Sequence, residues 1–388
     1  MTRPRLILPA GTTETALIDG ISAAGAAPEL MAHTPSADVE ILEFGAPARS
    51  PVTPVSPTGC PTPAAVTRAV REVCGFDVTV VDAGLAKPTS VPTVDLGVEP
   101  GNDIREPAAV PDATAIFDRA HGYGASFPDG EDDIVIGETI PGGTTTALGV
   151  LTALGEPTSV SSSLPENPVE RKRRVVDEAL AASDLAAGDC ESAPFDAIRA
   201  VGDPVQPTVA GIVAGILEST PTASVTLAGG TQMVAVAAIL RHAGVDAPLE
   251  IATTSFVAAE QGEQLESACA ALDCELTVTD PGFADHEREH VAMDRYCAGE
   301  AKEGVGMGGA LSLVPAGELA AVRDQFEMVC RRLGIESDGS GERSGLDTDP
   351  DPDTDIDTDP DTDPDPDTDI DTPSRTDPEP APNVDHGP

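Results

Sequence analysis

The chain has 388 residues and carries 67 acidic against 22 basic side chains, a net charge of −45, with no Trp and few aromatics. A field of that sign repels phosphate backbones and anionic lipid surfaces, which excludes a general nucleic-acid or membrane binder. Its mutual repulsion is tolerable where salt screens it, so the composition points to a salt-rich cytosol.

In chain order, Arg5 to Pro9 reads as a strand, Glu14 to Gly25 as a helix and Val39 to Phe44 as a second strand. The Pro/Thr/Ser segment 46–63 is a surface loop, a lid or a spacer. A helix (Ala64 to Cys74) and a strand (Phe76 to Val81) follow. The irregular segment 87–111 suggests, with the first loop, a smaller lobe. Next come a helix from Ala113 to Tyr123, a strand opening at Ile134, and helices at Thr144 to Leu154, Val169 to Ser183 and Thr208 to Leu217. The second half alternates strands (Ser224 to Leu227, Leu249 to Thr253, Glu275 to Thr279) with helices (Met233 to Ala243, Ala258 to Leu272). A polar helix near His286 to Ala298, a strand from Ala310 to Val314 and a helix from Glu318 to Leu333 complete residues 1–336. About eight strands, mostly followed by helices, predict an α/β fold: a Rossmann-like, open, mostly parallel sheet covered on both faces. Residues 337–388 repeat Asp-Thr-Asp-Pro, and DTDPDPDTDI occurs twice. Such a tail has no apolar content for a core and is expected to be disordered and solvating.

The seven Cys are scattered without a CxxC pair, which predicts reduced thiols rather than a disulfide frame or a zinc site. His286 and His290 form HExxxH with Glu287, the wrong spacing for a metalloprotease helix, and read as surface residues. With no signal-peptide pattern and no apolar run of membrane length, a cytoplasmic protein is expected.

The chemistry concentrates in Ile134 to Ala147, IVIGETIPGGTTTA. An apolar strand breaking into a glycine turn and a Thr-rich helix start gathers N–H groups and hydroxyls at the positive end of a helix dipole, a cradle for phosphate. Glu138 stands at its mouth. Asp82 and Gly84 follow a strand, where open α/β sheets place ligand groups. Only three lysines occur, Lys87, Lys172 and Lys302, each near a glycine-marked turn. Lys172 is the candidate phosphate partner, and a solvated helix face beside its neighbouring arginines is the competing reading.

Three motifs then converge. GETIPGGTTTA (137–147), FDAIRAVGDPVQPTVAGIVAGI (195–216) and AKEGVGMGGAL (301–311) resemble motifs of the nicotinate-nucleotide:dimethylbenzimidazole phosphoribosyltransferase family, closest to its archaeal branch. The resemblance spans most of 5–335. It implies transfer of a phosphoribosyl group from nicotinate mononucleotide to a lower-ligand base such as dimethylbenzimidazole in corrinoid cofactor (cobalamin) assembly, by a homodimer that needs no cofactor and no metal. Residue by residue, it implies Glu303 as general base and Glu138 as its assistant. Gly142, Gly143, Thr144 and Thr145 would surround the phosphate with Lys172, and Asp82, Gly84, Lys302, Gly304 and Gly306 would belong to the substrate pocket. Gly143, Lys302 and Ala228 stand where the bacterial motifs have Asn, Gly and Asp. Thr139 and Ala301, beside the two glutamates, also differ from the bacterial residues. These departures bear on the acceptor base more than on the reaction type, and they motivate an alternative: a non-catalytic nucleotide-binding or sensor protein on the same fold. A nicotinamide-cofactor oxidoreductase is disfavoured because no GxGxxG follows a predicted strand.

Overall fold

The computed structural model describes residues 3–22, 28–127, 133–157, 159–286, 290–315 and 317–335, so the repeat at 337–388 lies outside the described residues. Seven strands form one all-parallel sheet in the order β3-β2-β1-β4-β5-β6-β7: β1 (Arg5–Ala10), β2 (Asp77–Asp82), β3 (Thr93–Asp95), β4 (Asp133–Ile136), β5 (Ser224–Ala228), β6 (Leu249–Thr254) and β7 (Cys274–Thr279). The α/β prediction holds. Period-two alternation assigns the two faces, because successive strand side chains point to opposite sides. Ile7, Ile134 and Ile136 enter one core; Leu6, Leu8 and Val135 enter the other.

The first core is covered by α4 (Ala113–Gly124), α5 (Gly143–Leu154), α6 (Val169–Ala182), α7 (Pro194–Val201), α8 (Val205–Ser219), α9 (Thr231–His242) and α10 (Ser255–Ala271). The second is covered by α2 (Thr34–Phe44), α3 (Ala64–Cys74), α11 (Val291–Cys297), α12 (Met307–Ser312) and α13 (Leu319–Arg332), while the four-residue α1 (Pro28–Met31) precedes α2. The strand order reverses between β1 and β4. Their carboxyl ends therefore open a crevice at the topological switch point, where such sheets bind ligands.

Three predicted elements are corrected. Val39 to Phe44 is helical: α2 starts with Pro35 in its first turn and stops at left-handed Gly45, and these terminal signals outweigh the strand-like run VEILEF. Ala310 to Val314 is not a strand, because its first residues complete α12, packed on the sheet through Gly308 and Gly309. Glu14 to Gly25 yields only a 3-10 turn, Glu14–Leu17. There the Thr13 and Thr15 hydroxyls bond the backbone of Asn102 and Ile104, tying the segment to a distant loop instead of extending a helix; Ala23 to Gly25 lie outside the described residues. His290 is buried rather than at the surface, its Nδ1 accepting the Ala292 N–H at 3.1 Å to cap α11. Segment 87–111 supplies β3 and so joins the main sheet. No helix among the described residues is long and apolar enough to cross a membrane.

Both long loops are held by one carboxylate. Glu40, buried on α2, accepts the N–H groups of Ala48, Arg49 and Ser50 at 2.7–3.0 Å on one oxygen and that of Ser90 at 2.8 Å on the other. Burial pushes its pKa up, but the four backbone donors together outweigh burial and hold it below the usual 4.5. This stabilisation is therefore present above the unfolded-state pKa and is lost as pH falls through the lower folded value. Glu40→Gln is expected to reduce the unfolding free energy by about 2–3 kcal/mol. The denaturant midpoint at neutral pH measures it, and an unchanged midpoint would mean that the loops are held by other contacts.

Candidate active site

The crevice is built where β4 ends. Pairing with β1 continues past the strand, Gly137 N–H to Ile7 O at 3.0 Å and Thr139 N–H to Pro9 O at 3.1 Å, so the intervening Glu138 is fixed in the switch point. A segment from the far end of the chain then joins it. Val305 N–H donates to Glu138 O at 2.7 Å, and a Cβ on Gly137 would lie 2.6 Å from the Gly306 Cα. Glycine at 137 is what lets the two backbones touch. The contact brings Glu303 to the same cavity as Glu138.

Glu303 is held at the start of α12. Its Oε1 accepts Gly304 N–H at 3.1 Å and Gly308 N–H at 2.9 Å, and its Oε2 accepts the Thr253 hydroxyl at 3.1 Å. Burial pushes its pKa to about 7 against those donors. Burial raises Glu138 further, to about 8, helped by the charges of Asp203 and Glu303. A third carboxylate, Asp38 of α2, lines the same cavity and is raised to about 6 by burial, against hydrogen bonds from Thr62 and Thr139. A fourth, Asp203, lies behind it and is also raised by burial. Its Oδ2 accepts Thr146 Oγ1 at 2.5 Å and Gln232 Nε2 at 2.6 Å, joining α5 and α9 and orienting Gln232 in the cavity wall.

Opposing these acids, two buried lysines grip one loop. Lys172 donates to the Ser161 carbonyl at 2.7 Å and to Thr144 Oγ1 at 2.8 Å. Lys302 donates to the carbonyls of Ser162 at 2.7 Å and Leu164 at 2.9 Å, with Glu260 at 3.4 Å. Ser161 to Ser163 thereby form a wall of the cavity. Burial lowers both lysines, Lys172 to about 7, where repulsion by Lys302 adds to burial and Glu260 opposes it.

Of the residues singled out in the sequence, Glu138, Glu303, Gly142, Gly143, Thr144 and Gly304 line the cavity. Gly142 caps α5 in the left-handed region (φ 83°), turning the first helical turn toward the space. Lys172 and Lys302 lie one layer back, behind the serine loop, and Gly306 closes on Gly137. Thr145 is buried beside the cradle with its hydroxyl unbonded among the described residues. Asp82 and Gly84 are not brought to the cavity: Asp82 Oδ1 accepts the N–H groups of Gly84 and Leu85, and Gly84 O accepts from Thr12. Lys87 is exposed on its loop. Asp38, Gln232 and the serine wall were missed. Asp38 sits beside the run misread as a strand, and its one sequence signal is an acid flanking an apolar stretch.

No protein-family model matches the chain. A UPF0284 protein of Halobacterium salinarum is 58% identical over 306 residues, covering 79% of this chain and 90% of the relative. One from Methanosarcina mazei is 42% identical over 338 residues, covering 85% and 95%. Among solved structures, CobT from Thermus thermophilus superposes with a TM-score of 0.55 at 17% identity, covering 87% of each chain. A second structure, of the nicotinate-nucleotide-dimethylbenzimidazole phosphoribosyltransferase from that organism, gives the same score and identity over 87% of this chain and 86% of that one. At that identity the likeness shows a shared fold.

Between the unfolded carboxylate pKa values of about 4 and their raised folded values of about 6, 7 and 8, Asp38, Glu303 and Glu138 hold protons that the unfolded chain has released. Stability should therefore fall as pH rises from about 4 to 8. Glu303→Gln is expected to flatten that slope in the pH dependence of the thermal midpoint. An identical slope in the variant would place the raised proton affinity elsewhere.

Proposed function

Because the chain belongs to the archaeal UPF0284 protein family and shares the CobT fold, we propose that its cavity transfers a phosphoribosyl group from nicotinate mononucleotide to the ring nitrogen of an aromatic base, as in assembly of the lower ligand of a corrinoid. The observation that carries this reading is the shared cavity of Glu138 and Glu303, bounded by the first turn of α5.

Nicotinate mononucleotide already carries a pyridinium, so its C1′–N bond can break with the electron pair passing to the departing nitrogen, without a general acid. Positive charge then builds on C1′ and the ring oxygen, and a buried carboxylate in its ionised form, Glu303 before it takes the proton, stabilises it more strongly than water would. The incoming azole nitrogen forms the new C1′ bond from the opposite face, inverting the centre, and its N–H proton passes to a base. Glu303 suits that role, since a pKa of about 7 matches base strength to a neutral cytosol. Glu138, raised to about 8, is mostly protonated there and assists by holding the sugar. The α5 turn and Thr144 receive the phosphate. Lys172 sets Thr144 and Ser161 in place and adds positive charge from behind the loop.

The test is release of nicotinate by the purified protein in concentrated salt, offered nicotinate mononucleotide and a panel of benzimidazoles and purines. Absence of release with every base would reduce the protein to the nucleotide-binding alternative. Glu303→Gln is expected to bind the nucleotide normally and lose turnover about a hundredfold. Wild-type kcat should rise through an acidic limb near pH 7, and a limb near 4.5 would remove Glu303 from the base role. Lys172→Met is expected to raise KM for the nucleotide more than it lowers kcat; unaltered KM would detach Lys172 from the phosphate.

A further inference from the structure

One wall of the cavity has a one-sided hydrogen-bonding character. Asp38 is 2% exposed and lines the space together with Thr62 and Thr139. Its Oδ1 accepts the Thr62 hydroxyl at 2.6 Å, and its Oδ2 accepts the Thr139 hydroxyl at 2.7 Å. A hydroxyl has a single proton to give. Both threonines have spent theirs on the carboxylate, and Thr62 Oγ1 accepts a further N–H, from Ala64, at 3.3 Å. What remains to face a ligand is lone pairs only.

Such a wall discriminates sharply. An apolar ring edge placed against it desolvates three acceptors and supplies no donor. A carboxylate edge meets like charge, which turns the nicotinate ring away from this wall and leaves it to the incoming base. Pro54, Val55 and Pro61 beside it offer apolar surface for the faces of a flat ring. Thr139 and Glu138 line the same cavity, so a ring edge held here shares that cavity with the sugar position proposed for Glu138.

We propose that Asp38, with Thr62 and Thr139, selects an acceptor base bearing a hydrogen-bond donor on its ring edge, a hydroxyl or amino group, in addition to the azole N–H that Glu303 takes. The inference rests on the phosphoribosyl-transfer reading and names its acceptor class. Benzimidazoles with methyl edges are then poor substrates, because the methyl groups leave the acceptors unpaired.

Nicotinate release is measured with 5,6-dimethylbenzimidazole, unsubstituted benzimidazole, 5-hydroxybenzimidazole, 5-aminobenzimidazole and adenine. The hydroxyl- or amino-bearing rings should exceed the dimethyl ring in kcat/KM by at least about tenfold. In Asp38→Asn, whose amide offers a donor as well as an acceptor, that ratio should fall to within about threefold of unity, with the change mainly in KM for the base. Retained binding of nicotinate mononucleotide shows that the variant is folded; should it not fold, the wild-type base series decides alone. Equal or better use of the dimethyl ring by the wild type overturns the Asp38 proposal and leaves the transfer reading standing, as does an unaltered ratio in the folded variant. If none of the five bases elicits release, the transfer reading falls, and this inference with it.

Discussion

The site depends on one backbone contact, made where Gly137 and Gly306 meet and Val305 donates its N–H to Glu138 O. Without it the chain would have a parallel sheet with an acid at the end of β4 and, some 160 residues later, an unrelated glycine-rich turn. With it, Glu303 shares a cavity with Glu138, and α12 lies on the sheet. A side chain at Gly308 would collide with Ala252 O and with Glu303 itself, so the glycines of that turn set how close the helix approaches β6. Sequence separation is bridged by removing side chains, not by adding them.

The energetic consequence is a concentration of like charge away from water. Asp38, Glu138, Asp203 and Glu303 stand near one another with burial raising each of them, and neither neighbouring lysine donates to them; both instead hold the carbonyls of the serine loop. Charge is compensated by dipoles: hydroxyls of Thr62, Thr139, Thr146 and Thr253, the Gln232 amide and backbone N–H groups. These dipoles favour the ionised carboxylates and so oppose burial, but they offset it only in part, and the proton affinity stays raised. The proton affinity of the cavity is thereby placed near neutrality. The acidic exterior obeys the opposite rule, because its repulsion is long-ranged and is screened by salt, whereas the buried acids are shielded from ions.

The same economy explains the loops. A single carboxylate, Glu40, gathers donors from both 48–50 and 90, while Glu300 accepts the hydroxyls of Ser56 and Thr58. The proline-rich segment is therefore tied at two points along its length, and Pro54, Pro61 and Thr62 line the cavity. Its irregularity is local; its placement comes from two acids elsewhere in the chain.

The sequence by itself determined the alternation of apolar strands with amphipathic helices, and hence the parallel sheet, because side-chain period and turn residues are local properties. It determined too that GETIPGGTTTA and KEGVGMGG stand out as acid-bearing glycine turns, since such turns are visible without a partner. Where local signals conflicted, the reading erred: VEILEF suits a strand until Pro35 and Gly45 are weighed as helix ends, and ALSLV suits one until α12 is seen lying on the sheet. Tertiary structure alone decided that Lys172 and Lys302 stand behind a serine wall, that Asp82 and Gly84 belong to a turn away from the cavity, and that Asp38 lines the cavity. Each of these depends on which residues distant in the chain share a buried volume, and burial is what turns an ordinary acid or lysine into one with an altered proton affinity.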